Sequence, residues 1–258
     1  MEFLFLDRLN QILLIWGRTA GFFITAVPFS IRNVPLRFKV GMAAVFAYLV
    51  LMINLNEPPP AVENMAGYIL LFIGELLVGC ILGFITQIIF SVFRVAGHYL
   101  DVQMGLGVAN VVDPEYGTQV PLLGNLLYML AILTFLAING HHVLITGLFE
   151  SYRLIPIAGF HYTGELSLFL CRLVGEMFLL ALQMALPVVG ALLIVDLVLG
   201  VIARTVPQMN VFFVALPLKI ALGFGLIMIM VSLFIWAFEV EFERMFEQLY
   251  ELLMIMRG

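Results

Sequence analysis

The sequence predicts an all-α protein of membrane-associated helical hairpins, with about six long apolar segments, and three observations carry that reading. Hydrophobic residues make up 63% of the 258 residues and charged residues 11%, against about half and about a quarter in soluble domains. The mean hydropathy is +1.12, and a water-soluble fold could not cover that much apolar surface with so few charges. The apolar residues also come in continuous runs. A membrane barrel strand would alternate apolar and polar, whereas a helix satisfies its own backbone groups and can stay apolar throughout.

The segments follow in order. The first runs from Leu9 to Phe29 and contains Arg18. The second runs from Phe38 to Leu55 and stops at Asn56-Glu57-Pro58-Pro59-Pro60. The third covers Ala66 to Phe93 with Glu75 inside, and the fourth covers Pro121 to Phe149. The fifth runs from Glu176 to Ile202, through Pro187 and Asp196, and the sixth from Val211 to Phe238. Each is long enough to cross a hydrocarbon layer of about 30 Å as a helix. Beyond the sixth, Glu239, Glu241, Glu243, Glu247 and Glu251 alternate with Phe242, Phe246, Leu249, Leu252 and Leu253. That pattern suits an amphipathic helix extending the sixth segment into water or onto a partner.

Charge and cysteine usage narrow the function classes. A net charge of −5 gives no basic footprint for nucleic acid. Cys80 and Cys171 stand apart in apolar stretches and make no disulfide framework. Met1–Asp7 lacks the positive start of a cleavable signal peptide. Arg32, Arg37 and Lys39 cluster between the first two segments, which favours the cytoplasm for that loop.

No catalytic, cofactor-binding or metal-binding motif emerges. Gly105-Leu106-Gly107 lacks the third glycine of a dinucleotide loop, because Asn110 stands there. His141 and His142 are adjacent and on a helix are expected to point apart, so no shared metal is expected. Gly79 and Gly83 form a small-residue pair suited to close helix–helix approach. Arg18, Glu75, Glu176 and Asp196 lie within apolar segments, and such groups must be paired or hydrated. Interhelical pairing and an ion relay are the two readings. The stretch from Arg94 to Pro121 is helix-compatible up to Met104 and then turn-rich, with Gly105, Gly107, Asp113-Pro114 and Gly117. It carries few charges and small side chains, which suit a constriction better than open water.

These segments carry a family resemblance. GHYLDVQMGLGVANVVDPEYGTQVP, then NGHHVLI, then LPVVGALLIVDLVLGVIARTVPQMNVFFVALPLKI resemble the FliR/SctT family of type III secretion export-gate proteins. Gly17-Arg18, Pro28 and Val34-Pro35-x-Arg37 fit the same pattern. The resemblance spans nearly the whole chain and is closer to the flagellar branch than to the injectisome branch.

The resemblance implies a non-enzymatic subunit of the flagellar export gate, without cofactors, in the bacterial inner membrane at the basal body. Its partners would be FliP-type and FliQ-type subunits, an FlhB-type switch protein and exported unfolded polypeptides. Residues 1–171 would be a FliP-like part and 172–258 a FliQ-like hairpin with an acidic tail. The loop from about 104 to 119 would be a channel plug: Met104, Gly105, Leu106, Gly107, Val108, Ala109, Asn110, Val111, Val112, Asp113 and Pro114. Subunit contacts would involve Asp196, Arg204, Pro207, Gln208, Asn210, Pro217 and Lys219, with Pro207 to Asn210 and Pro217 to Lys219 in the hairpin turn. The alternative class is a secondary transporter of a small solute, using the broken helices near Pro187 and Asp196. Such a transporter should show two related halves, and the sequence shows none.

Overall fold

The computed structural model describes residues 2–30, 34–53, 64–107, 121–160, 162–206, 208 and 210–257. Its helices are α1 (Glu2–Thr25), α2 (Leu36–Ile53), α3 (Met65–Met104), α4 (Leu122–Ala137), α5 (Gly140–Leu154), α6 (Gly164–Thr205) and α7 (Val211–Arg257). Among the described residues there is no strand. The all-α expectation therefore holds, and the apolar runs lie on helices.

Several boundaries differ from the sequence reading, and α1 starts at Glu2 rather than Leu9 and α6 at Gly164 rather than Glu176. The third segment does not end at Phe93, because α3 continues through the amphipathic stretch to Met104. The fourth apolar run is two helices bent by 72°. The break falls at Asn139, whose φ of 57° and ψ of 28° are left-handed. A right-handed helix cannot pass through that conformation, and Asn is among the few residues that adopt it readily. Pro217 and Lys219 sit inside α7 rather than in the turn between α6 and α7.

Helix length matters for the membrane. Among the described residues four helices are long and apolar enough to cross, or up to five if the bent α4–α5 pair forms one span. Helices α3, α6 and α7 contain 40, 42 and 47 residues. At 1.5 Å per residue these reach about 60–70 Å, roughly twice the hydrocarbon thickness. The most apolar windows of α6 and α7 are only 22% and 17% buried within the chain.

The chain folds as two packing units interleaved in sequence. The first contains residues 1–88, 139–173 and 242–258, and the second contains 89–138 and 174–241. In the first unit, small residues bring α1 and α3 together. A methyl group at Gly79 would overlap the Arg18 carbonyl, and one at Gly21 would overlap the Leu76 carbonyl. Gly83 meets Thr25 and Ala26 in the same way. The Gly79–Gly83 pair thus serves the close approach its spacing predicts. Phe22, Phe23, Phe29, Phe46 and Phe149 pack beside it, with Phe23 centred 5.0 Å from both Phe29 and Phe46.

The acidic tail closes this first unit. Phe242, Met245, Leu249, Leu252, Leu253 and Met256 are buried, while Glu243, Glu247 and Glu251 face outward. Leu249 packs into the space left by Gly147 of α5. The tail does extend the last helix, but its apolar face is covered by its own chain rather than by water or a partner. Full burial of one such side chain contributes about 1.5–3 kcal/mol.

In the second unit, Phe90 contacts Phe93, Tyr128 and Phe135, and Phe93 lies edge-on to Phe238 at 4.4 Å. A methyl group at Gly97 would come within 2.5 Å of the Gly124 backbone, so α3 and α4 touch there main chain to main chain. Met177, Ala181, Ala185, Val188, Leu192 and Leu199 form one buried stripe along α6. Pro187 lies in that helix but faces outward.

Candidate functional site

The plug expected from the family resemblance begins where α3 ends, and the described part of its root is built in the second unit. Met104 is fully buried and fits against Gly223 of α7, where any side chain would collide with its thioether. Gly105 follows with φ of +75°, a conformation that favours glycine. The Gly105 and Leu106 N–H groups donate to the carbonyls of Val102 and Asp101, closing the helix end. Gly107 has open space around it. Val108, Ala109, Asn110, Val111, Val112, Asp113 and Pro114 lie outside the described residues.

Two charged groups hold the end of α3 and the start of α4. The last carbonyls of a helix and its first N–H groups have no partner within the helix. At the end of α3, Lys219 of α7 donates to the Gln103 carbonyl at 3.4 Å. Lys219 also pairs with Asp196 of α6, and the Gln103 side chain donates to the other Asp196 oxygen at 3.0 Å. At the start of α4, Pro121 occupies the N-cap and makes no side-chain cap. Asp101 of α3 replaces it. Its carboxylate accepts from the Leu123 N–H at 3.0 and 3.1 Å and from the Gly124 N–H at 3.2 Å. Both charges match the helix dipole: a cation at a C-terminus and a carboxylate at an N-terminus. Arg94, below on the same face of α3, stacks 4.1 Å from the Tyr128 ring centre.

The other expected contact residues are more open. Arg204 in the last turn of α6, Gln208 and Asn210 after it, and Pro217 on α7 are exposed. Pro207 lies outside the described residues. The structure thus brings Asp196 and Lys219 together with Gln103, and leaves Arg204, Gln208, Asn210 and Pro217 on the surface. Gln103 and Asp101 escape a motif search. The signal that could find Asp101 is the Pro121-Leu122 helix start, which has no local capping side chain and so requires an acceptor from elsewhere.

A third charged cluster lies in the first unit. Arg18 Nε donates to Glu75 at 2.7 Å, and both side chains are essentially sealed from solvent. Arg18 Nη1 donates to the carbonyls of Ser151 and Ile155, at 2.9 and 3.1 Å. These belong to the C-terminal end of α5, so Arg18 caps that helix as Lys219 caps α3. Its guanidinium lies 4.4 Å from the Tyr152 ring centre, and the Tyr152 hydroxyl donates to the Ile15 carbonyl. The second Glu75 oxygen accepts the Ala158 N–H at 2.9 Å, and Ala158 holds φ of 65°. Of the two readings for the intramembrane charges, pairing describes Arg18 with Glu75 and Asp196 with Lys219. His141 and His142 do not point apart, since their ring centres are 4.2 Å from each other. Among the described residues no group of three His, Cys, Asp or Glu side chains could hold a metal ion.

Known proteins match this chain along most of its length. The family model described as bacterial export proteins, family 1, matches residues 9–245. The chain is 40% identical over 230 residues to the flagellar biosynthetic protein FliR of Bacillus subtilis, covering 88% of each chain. It is 34% identical over 209 residues to that of Escherichia coli, covering 81% of this chain and 79% of the relative. The protein of the same name from Aquifex aeolicus is 30% identical over 227 residues, covering 88% and 86%. The chain therefore belongs to the bacterial export proteins of family 1, the FliR/SctT family of type III export proteins.

Proposed function

We propose that the chain is a structural and gating subunit of the flagellar type III export gate, and not an enzyme. Membership of the family carries the coarser part, a membrane component of flagellar protein export. The finer reading assigns it FliP-type and FliQ-type neighbours in the inner membrane at the basal body. An FlhB-type switch protein would dock on that assembly, and unfolded flagellar polypeptides would pass through it. In this reading residues 1–171 form the FliP-like part and 172–258 the FliQ-like hairpin.

The observation that carries the proposal is the apolar surface of helices longer than a bilayer is thick. The most apolar windows of α6 and α7 leave most of their residues uncovered by the chain itself. Helices of about 60–70 Å extend well beyond a hydrocarbon layer of about 30 Å, so lipid alone does not cover them. Neighbouring subunits supply the remaining cover, with Arg204, Gln208, Asn210 and Pro217 exposed where such contacts are expected. Residues from Met104 to about Gln119 act as the plug in the resting channel. Glycines there let the backbone pack closely, and weak charge lets a polypeptide pass.

Deleting Gly105 to Val112 tests the reading. Assembled gates should still form, and the membrane should become permeable to ions or small solutes. Gates that assemble with this deletion, stay sealed and secrete normally would refute the plug assignment.

A further inference from the structure

We infer that Lys219 and Asp101 are positioning residues: they cap the end of α3 and the start of α4 and so fix the spacing of these two helix ends. The functional consequence rests on the plug reading, but the spacing itself does not. Asp101 is 5% exposed, and its carboxylate accepts from two N–H groups in the first turn of α4. Lys219 is buried enough that 18% of its side chain remains accessible, and it reaches both the Gln103 carbonyl and Asp196. Asp196 in turn holds the Gln103 side chain. One residue of α3 is therefore gripped at its backbone by α7 and at its side chain by α6. Two turns of α3, through Gly97 and Asp101, are at the same time fastened to α4.

The chemistry separates a cap from a simple ion pair. If Asp196 and Lys219 only neutralised each other, replacing both by apolar residues would leave α3 and α4 in place, since well-packed apolar substitutes for an ion pair are often neutral. A cap on the Gln103 carbonyl would be lost in that double variant.

The test is a spin-label distance between Val102→Cys and Leu122→Cys, two exposed positions at the root, in the assembled complex with Cys80 and Cys171 changed to Ala. The unmodified caps should give one narrow distance. Asp196→Leu with Lys219→Met should lose it and give a broad distribution, and so should Asp196→Asn with Lys219→Met, which keeps an acceptor for the Gln103 side chain; Lys219→Arg should keep the narrow one. Asp101→Asn should broaden the distance partly and Asp101→Ala fully. A narrow distance in either double variant overturns the role of Lys219, and one in Asp101→Ala overturns that of Asp101. The plug reading fails separately. If deletion of Gly105 to Val112 leaves the gate sealed while Asp101→Ala broadens the distance, the caps stand and the plug does not.

Discussion

Removing one side of the Arg18–Glu75 pair should destabilise the protein far more than removing both. The pair is 2.7 Å apart with side chains 0% and 1% exposed. At an effective dielectric of about 20 the attraction at that distance is roughly 6 kcal/mol, and the desolvation of two ions offsets it by several kcal/mol each. The pair is thus near balance, but either partner alone is an uncompensated buried charge. Glu75→Leu should cost about 3–5 kcal/mol, and it also leaves the Ala158 N–H without its acceptor. Arg18→Leu should cost about as much, because the Ile155 carbonyl loses its donor too and the Ser151 carbonyl keeps only the Ile155 N–H. The double variant should recover most of the loss, keeping about 1–3 kcal/mol for those orphaned backbone groups. Thermal unfolding of the detergent-extracted complex reads this out. At about 2–4 °C per kcal/mol, each single change should lower the midpoint by roughly 6–20 °C. A double variant that falls by the sum of the two singles would refute the reasoning, since the two sites would then be independent.

Two further predictions use the same measurement. Gly79→Ala should cost about 1–3 kcal/mol, because its methyl group overlaps the α1 backbone. Gly41→Ala, with nothing within 4 Å, should instead be neutral or stabilise by about 0.5–1 kcal/mol; equal effects at both positions would refute the close-packing account. Asn139→Gly should be tolerated, whereas Asn139→Val should cost about 1–2 kcal/mol for a branched residue held left-handed, and a stable Val variant would show that the α4–α5 bend has another cause.

Much of the fold was legible because apolar runs and helices coincide when a helix is covered by lipid or protein on every side. The same feature hid the α4–α5 break. One polar residue in a long apolar run barely changes hydropathy, although Asn139-Gly140 is a turn signal on its own terms. The amphipathic tail was legible as a helix, but its pattern could not say which surface would cover the apolar face. The charged residues were legible as sites needing partners, and their partners were not. Arg18 meets Glu75 and Ser151 across long stretches of chain, and no local spacing encodes such a meeting. The residues proposed for the plug stood out by composition. The caps at Asp101 and Lys219 did not, because a tertiary cap is visible only as a missing local one.

The buried tail has a consequence for synthesis. The first packing unit draws on residues near the start, the middle and the end of the chain. Leu249 can fill its place against Gly147 only after the roughly one hundred residues between them have been made. Until then the apolar surface of the earlier segments lacks this cover. Docking of the tail helix, rather than insertion of any one earlier helix, is the event that covers it. A quality-control factor that recognises exposed apolar surface would distinguish a copy with its tail docked from one without it.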